Sequence, residues 1–246
     1  MVISASLLVA ASSNVDQSSY VTASITPPAN QLILAFIGSD NATGSPGQVP
    51  TISGNGLTYV EVATAPYAGT IGKRITLFRA MGASPSAGAV TIDFAGVVQN
   101  SGDWHIIAFD GVDTGGTNGS AAVVQSATVA EGAAATSITV TLAAFGSAEN
   151  ATFGCVAHRA NEGTAPGTGF TELADTAHTA DSTGHQSEWR VDNDTTVDAS
   201  WVTSAVNAGI AVEIKAAAAA ATDPGLLHYN APPNQLTQRI PHMVPF

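Results

Sequence analysis

The stretch from Lys73 to Val112, KRITLFRAMGASPSAGAVTIDFAGVVQNSGDWHIIAFDGV, decides the fold class of this chain. It contains three strand-like runs separated by glycine, proline and serine, the residues that supply turn geometry. In the middle run Val90, Ile92 and Phe94 alternate with polar residues, which is the period of a half-buried strand. The last run, Trp104 to Phe109, is apolar at both parities, as in a strand near the middle of a sheet. The stretch therefore predicts consecutive strands of a β-sheet.

A weaker version of the same pattern occurs from Gly184 to Lys215, where three more runs alternate in the same order. Matching strand orders across residues 18–112 and 133–216 predict two pseudo-duplicated halves. No convincing helix pattern precedes residue 216. We therefore expect an all-β fold, an antiparallel, jelly-roll-like β-sandwich of about twelve to fifteen strands, which forms one domain over residues 1–216.

Several local patterns make this expectation specific. The continuous apolar run from Gln31 to Ile37 predicts a central strand, and Gly54-Asn55-Gly56 predicts a tight turn. Separate strands are predicted at Val123–Val129, Ser137–Leu142, Val197–Trp201 and Ile210–Ile214.

Composition and charge argue against two classes of partner. The chain of 246 residues has a formal net charge of −12 and seven Lys and Arg residues, so it lacks the clustered basic side chains that nucleic acid requires. The sequence shows no polybasic amphipathic helix, so we expect no membrane partner. Charged residues make up 11% of the chain, against about a quarter in ordinary soluble domains. A surface of small neutral side chains suits closely packed, repeated assemblies.

The cysteine and the histidines predict no cofactor and no metal. Cys155 is the single cysteine and lies in an apolar run, which favours a small buried hydrophobe over a nucleophile. His105 interrupts an apolar run, which predicts a hydrogen-bonded core or edge residue. The six histidines contain no HxH or HExxH pair. They are His105, His158, His178, His185, His228 and His242.

The carboxylates predict no enzyme. A glycosidase needs two of them, but no spacing rule selects a pair among Glu61, Asp93, Asp103 and Asp110. Asp93 alternates with apolar residues and is expected to face solvent. The segment from Asp110 to Asn118 offers oxygen ligands for calcium without the EF-hand pattern, so Asx turns and glycine bends explain it better.

The C-terminal segment, residues 217–246, is predicted to be an alanine linker followed by a proline-rich, extended docking arm. Prolines this frequent forbid a regular helix or a central strand. The alternative is a disordered terminus, but such tails are usually poor in spaced apolar side chains. The predicted docking residues are Leu226, Leu227, Tyr229, Leu236, Ile240, Met243, Val244 and Phe246.

Aromatic side chains leave carbohydrate binding open. Tyr59, Tyr67, Trp104, Trp189 and Trp201 could supply stacking platforms for a sugar. Trp189 and Trp201 share the parity of the apolar residues in their strands, which favours core packing. Tyr67 is flanked by proline and glycine and is expected in a loop.

The runs RITLFRAMGASPSAGAVTIDFAG, DWHIIAFDGVDTGG, GLTYVEV and GFTEL resemble those of β-sandwich or jelly-roll structural proteins of tailed bacteriophages. The resemblance covers roughly residues 1–216, rests on packing and turn motifs, and carries over no catalytic residue. It implies a virion location and a non-enzymatic role as a capsid decoration (cement) protein or as a tail-fibre module. It also implies the major capsid protein as partner and a homo-oligomer, with a trimer expected from the class.

Two functions therefore stand beside each other. The leading hypothesis is a capsid decoration protein anchored partly by residues 222–246. The alternative is a carbohydrate-binding adhesin or tail-fibre receptor-binding module, in which loops near Tyr67 or Asp113 meet the glycan. An enzyme that acts on polysaccharide is a distant third.

Overall fold

The computed structural model describes residues 2–41, 47–67, 72–179 and 182–219, and every regular element in these ranges is a β-strand. This confirms the all-β, antiparallel fold class. The strands of the first half are β1 (Ser4–Ser13), β2 (Ser19–Val21), β3 (Leu32–Asn41), β4 (Thr51–Gly54), β5 (Leu57–Thr58), β6 (Val60–Tyr67), β7 (Gly72–Ala80), β8 (Val90–Asp93) and β9 (Ser101–Asp110). The strands of the second half are β10 (Val123–Thr141), β11 (Ala151–His158), β12 (Ala165–Pro166), β13 (Thr171–His178), β14 (Thr183–Arg190) and β15 (Thr196–Ile214).

The strands of the described residues form two large sheets and a smaller one. The first large sheet has the strand order β1-β9-β3-β7-β6, and the second has the order β10-β15-β11-β14-β13, with β12 added beside β15. The smaller sheet has the order β2-β8-β4-β5. The two large sheets face each other, since β6 lies against β10 and β15 while β1 lies against β13. The result is a β-sandwich with a small sheet on its outside.

The first large sheet is covered on both faces, which explains why β3 is apolar at both parities. All ten residues of β3 are buried. Phe36 shares a core with Phe153 of the second large sheet, whereas Ile37 points the other way and packs with Tyr20 and Ile92 of the small sheet. A fully buried side chain of this size stabilises the fold by about 1.5–3 kcal/mol. β3 and β9 therefore hold the central positions that their sequences predict.

The two large sheets have corresponding strand orders. In each sheet the first long strand of its half pairs with the last one, β1 with β9 and β10 with β15. The remaining strands follow as β3-β7-β6 and as β11-β14-β13. β1 and the start of β10 lie outside the two halves expected from the sequence, residues 18–112 and 133–216. The jelly-roll connectivity and a duplication of the chain stay predictions.

β10 and β15 are single strands of 19 residues, so the prediction of two separate strands within each of them is wrong. Residues 130–136 of β10, AEGAAAT, contain no proline, and the register with β15 shifts on either side of Ala135. Such a bulge bends a strand without ending it. The far end of the ladder, with Val140 and Trp201, therefore folds over the outer face of the second large sheet and packs against Val156.

The predicted turn at Gly54-Asn55-Gly56 is present between β4 and β5. Asn55 and Gly56 have φ angles of 55° and 65°, as a two-residue type I′ turn requires. The Asn55 side-chain amide donates hydrogen bonds to the carbonyl oxygens of Ser86 and Gly88 at 3.0 and 2.9 Å. This turn is thereby tied to the loop before β8.

Gly154 lies where the far end of β15 crosses β11. A substitution at Gly154 therefore tests the packing of β15 over β11. A Cβ at Gly154 would lie 2.3 Å from Cγ1 of Val197. We expect Gly154→Ala to lower the free energy of unfolding by about 1–3 kcal/mol, because the added methyl group overpacks the contact. Urea denaturation measures this. The control is Gly132→Ala, where no atom lies within 4 Å of the added Cβ. Equal stability of both variants would contradict the packing of β15 over β11.

Candidate functional site

A polar cluster lies between the two large sheets. β9 of the first sheet and β13 and β14 of the second sheet supply its side chains, which face the same interior as Ile107 and Phe109. Each of these side chains is buried except that of Thr176, which is partly buried. The cluster consists of Asp103, His105, Thr176, His178, His185 and Ser187.

Asp103 is the centre of the cluster. Its Oδ2 lies 2.9 Å from Nε2 of His178 and 3.3 Å from Nδ1 of His185. Its Oδ1 accepts a hydrogen bond of 3.2 Å from the Thr176 hydroxyl. His105 continues the network, with Nε2 3.0 Å from Oγ1 of Thr176 and Nδ1 3.0 Å from Oγ of Ser187. One carboxylate of the first sheet is thus held by two strands of the second.

Gly38 of β3 makes room for the His185 ring. A Cβ at Gly38 would lie 2.2 Å from Nε2 of His185, so only glycine allows the ring to approach the strand. The ring of Phe36 packs beside those of His185 and His105, with centroids 5.7 and 5.4 Å apart. The Nε2 edge of His185 is therefore covered by β3, while its Nδ1 edge faces Asp103.

Burial sets the charge state of the cluster. Burial lowers the pKa of His185 to about 3 and the pKa of His105 to about 4, although Asp103 acts in the opposite direction on both. Burial alone would raise the pKa of Asp103, but His185, His178 and His105 lower it, and the net pKa lies below its usual value. At neutral pH the cluster therefore presents neutral His185 and His105 rings to an ionised carboxylate.

A buried ion pair adjoins the cluster. Lys73 Nζ lies 2.5 Å from Oδ2 of Asp40 and donates to the Thr183 hydroxyl at 2.9 Å, which joins β7 to β14.

Tyr67 lies at the end of β6 and is 5% exposed, so the prediction that it occupies a loop is wrong. Burial, Asp103 and Asp40 raise its pKa well above the usual value. The bulky ring fills the core instead of meeting solvent.

The other candidates from the sequence are dispersed. His105 is a hydrogen-bonded core residue, as predicted, and Cys155 is buried as predicted. Asp103 is the one predicted carboxylate in the cluster, while Glu61, Asp93 and Asp110 are exposed.

The aromatic candidates are used mainly for packing. Trp104 and Trp201 are each 6% exposed, and Trp189 packs edge-to-face on Phe109, which confirms core packing for Trp189 and Trp201. Tyr59 is partly buried, and burial raises its pKa to about 12. The side chains that the sequence offered as sugar platforms therefore lie against the protein.

The loop after β9 behaves as the predicted Asx turn. Oδ1 of Asp113 accepts a hydrogen bond of 2.8 Å from the Gly115 amide, and Oδ2 lies 2.8 Å from Lys215 Nζ. Asp113 also lines a cavity of about 620 Å³ together with Val124, Glu149 and other residues up to Ala219. The predicted docking residues, from Leu226 to Phe246, lie outside the described residues.

The sequence patterns did not predict that Asp103, His178 and His185 lie together. The hydrogen-bonded pair Asp103 and His178 is 75 residues apart in the chain. One local signal existed, since Asp103 and His105 share the parity of Phe109 on β9, and His185 shares that of Trp189 on β14. Parity alone does not show which faces of two sheets meet.

Comparisons with protein-family models, with curated proteins and with solved structures give no match for this chain. Within the described ranges, no helix has the length and apolar character that a membrane crossing requires.

The buried histidines make stability depend on pH in metal-free buffer. The pKa values of His105 and His158 are lowered to about 4 and that of His185 to about 3, from 6.5. Below pH 6.5 the unfolded chain binds these protons and the folded chain does not, so stability is complete above pH 6.5 and falls on acidification, by about 1.4 kcal/mol per pH unit for each histidine. Burial raises the pKa of Glu188 from 4.5 to about 7. Between these pH values the folded chain binds a proton at Glu188 that the unfolded chain releases, and this offsets the contribution of one histidine.

We therefore expect a net loss of about 3 kcal/mol per pH unit between pH 6.5 and pH 4.5, measured by urea denaturation in the presence of EDTA. His158→Gln removes one of the three buried histidines whose protonation favours the unfolded chain. It is expected to reduce this slope by about half. A stability that stays flat or rises across this window would contradict the burial of neutral histidines.

Proposed function

We propose that this chain is a non-enzymatic structural protein of a bacteriophage virion, which decorates the capsid by pairing with copies of itself and by docking its C-terminal segment. The observation that carries the proposal is the long exposed edge strand β10. This strand ends the second large sheet, so among the described residues no strand is hydrogen-bonded to its outer side, although β6 lies against it.

β10 lacks the features that usually block strand addition. In its 19 residues Glu131 is the single formal charge, and there is no proline. The residues Val124, Ser126, Thr128 and Ala130 are exposed along its first half. Natural proteins protect edge strands with lysine, proline or covering loops, because unpaired N–H and C=O groups accept a strand of another chain. The edge of β10 is therefore suited to assembly.

The charge of the chain favours β10 as the place where copies meet. A net charge of −12 makes two copies repel each other over most of their surfaces. The nearly uncharged β10 ladder reduces this repulsion locally, and Val202 of the paired strand β15 is 87% exposed. A repeated lattice then multiplies weak contacts into stable attachment.

The C-terminal segment supports the second half of the proposal. The described chain ends at Ala219, which lines the cavity shared with Val124 at the start of β10. The last described residue therefore lies near the start of the proposed pairing edge, and residues 220–246 follow it in the sequence. Their spaced apolar side chains and prolines suit an extended arm that adds contact area on the major capsid protein.

Carbohydrate binding is the second candidate, and the cavity near Asp113 favours it. The cavity of about 620 Å³ presents the polar groups of Asp113, Glu149, Asn150 and Lys215 beside alanine and valine walls. This size and mixture of polar and apolar lining suit a small-molecule site. The sequence predicts that a loop near Tyr67 or Asp113 meets the glycan. In this second candidate the loop at Asp113 meets it and Tyr67 does not.

A single charge on the β10 edge tests self-pairing. We expect Ser126→Lys to lower the mass of the assembly in sedimentation velocity, because a lysine must be desolvated when a second strand pairs beside it. The matched control is Ser84→Lys, which adds the same charge at an exposed loop position. Equal masses for both variants and the unaltered protein would exclude β10 as the contact.

Deletion of residues 222–246 tests the docking arm. Cosedimentation with capsids stripped of this component is expected to show saturable binding of the full chain and loss of binding by the truncated chain. Circular dichroism and the thermal midpoint should be unchanged, since the described strands end at Ile214. Full occupancy after truncation would contradict the arm. Absence of binding by both forms, with retention on a glycan array, would favour the second candidate.

A further inference from the structure

We propose that Asp103, His178 and His185 bind a divalent transition-metal ion, with zinc preferred, between the two large sheets. One ligand atom of each residue lies within 4.8 Å of the other two, and all three residues are buried. The ligand atoms are Oδ2 of Asp103, Nε2 of His178 and Nδ1 of His185. This inference does not depend on the virion role proposed above.

The distances suit a tetrahedral site. Zinc bonds of 2.0–2.1 Å place neighbouring ligand atoms about 3.3–3.4 Å apart. Asp103 Oδ2 lies 2.9 Å from His178 and 3.3 Å from His185, so small side-chain movements would admit the ion. Two imidazoles and one carboxylate form the donor set of zinc and its neighbours, whereas calcium and magnesium prefer oxygen ligands alone.

His185 provides an independent indication of a missing ligand. Its side chain is 3% exposed, and neither ring nitrogen forms a hydrogen bond among the described residues, although Nδ1 lies 3.3 Å from Oδ2 of Asp103. Nε2 is blocked by the backbone of Gly38, so Nδ1 is the atom that remains for coordination. A buried polar atom without a partner is costly, and a metal bond at Nδ1 would remove this cost.

The surroundings orient the carboxylate as in a prepared metal site. The Thr176 hydroxyl donates to the other oxygen of Asp103, at 3.2 Å, and His105 lies 3.0 Å from that hydroxyl. Ser187 fixes the opposite nitrogen of the His105 ring at 3.0 Å. Such hydrogen bonds behind the ligands hold the bonding atom in place. The fourth position of a tetrahedral ion would be taken by water.

A metal at this position would join the two halves of the chain. Asp103 belongs to β9 of the first sheet, while His178 and His185 belong to β13 and β14 of the second. Because the unfolded chain does not hold these ligands together, the binding free energy would add to the stability of the sandwich. An ion at this position would therefore tie β9 to β13 and β14 in the folded chain.

Metal content of the unaltered protein is the first test. The full chain, prepared without a histidine tag, is unfolded in urea with EDTA and refolded in buffer with or without zinc chloride. We expect one zinc ion per chain by plasma mass spectrometry after gel filtration, and a thermal midpoint that rises with the logarithm of free zinc. Less than about a tenth of an ion per chain, with an unchanged midpoint, would overturn the proposal.

Variants locate the ion. Asp103→Asn and His185→Gln are expected to lose the bound zinc and the zinc-dependent rise in the midpoint. The matched control is His158→Gln, which removes a buried histidine on the opposite face of the second sheet, where it stacks on Trp201 at 4.6 Å. This control should retain one ion. Equal loss in His158→Gln and His185→Gln would also overturn the assignment.

His105→Gln separates the ligands from the residues behind them. This substitution should lower zinc affinity by about 10- to 100-fold while one ion still binds at saturation. Cobalt(II) provides a second readout on the unaltered protein, because a tetrahedral nitrogen and oxygen site gives visible absorption bands that zinc abolishes by competition. Absorption typical of hydrated cobalt alone would contradict the site even if a variant failed to fold.

Discussion

The fold depends on one constraint, which is that the first large sheet carries apolar side chains on both of its faces. β3 and β9 cannot meet water on either side, so the chain must supply two further layers. The second large sheet covers one face, and the small sheet of β2, β8, β4 and β5 covers the other. The outer face of the second large sheet also carries apolar side chains, and the bent ends of β10 and β15 cover them.

Within this apolar framework, polar side chains are concentrated at one end of the space between the large sheets. An ionised Asp103 inside a protein needs donors around it, and Thr176 and His178 of the second half supply them. An apolar interface would let two sheets slide against each other, whereas directed hydrogen bonds favour a single alignment. We infer that the cluster selects the relative position of the sheets, and the Lys73–Asp40 pair with Thr183 acts in the same direction.

Sequence patterns predict the parts of the structure that depend on near neighbours. Alternation identified the strands, continuous apolar runs identified the central ones, and the Asn55-Gly56 turn followed from its φ requirements. Patterns failed where distant segments decide the outcome. The bulge near Ala135 keeps β10 continuous because its pairing with β15 survives the bend, and Tyr67 is buried because the second sheet covers it. The Asp103 cluster depends on two sheets facing each other, which no local spacing records.

The pairing of first with last strand in each half has a consequence for biosynthesis. β1 finds its partner β9 only when residue 110 has left the ribosome, yet no strand of the second half is required to close that sheet. The same holds for β10 and β15 at residue 214. Such distant pairings fold slowly, but the order of translation separates them into two stages. The nascent chain can thus complete one sheet while the other is still being made, and the contacts between Asp103 and the histidines form after both.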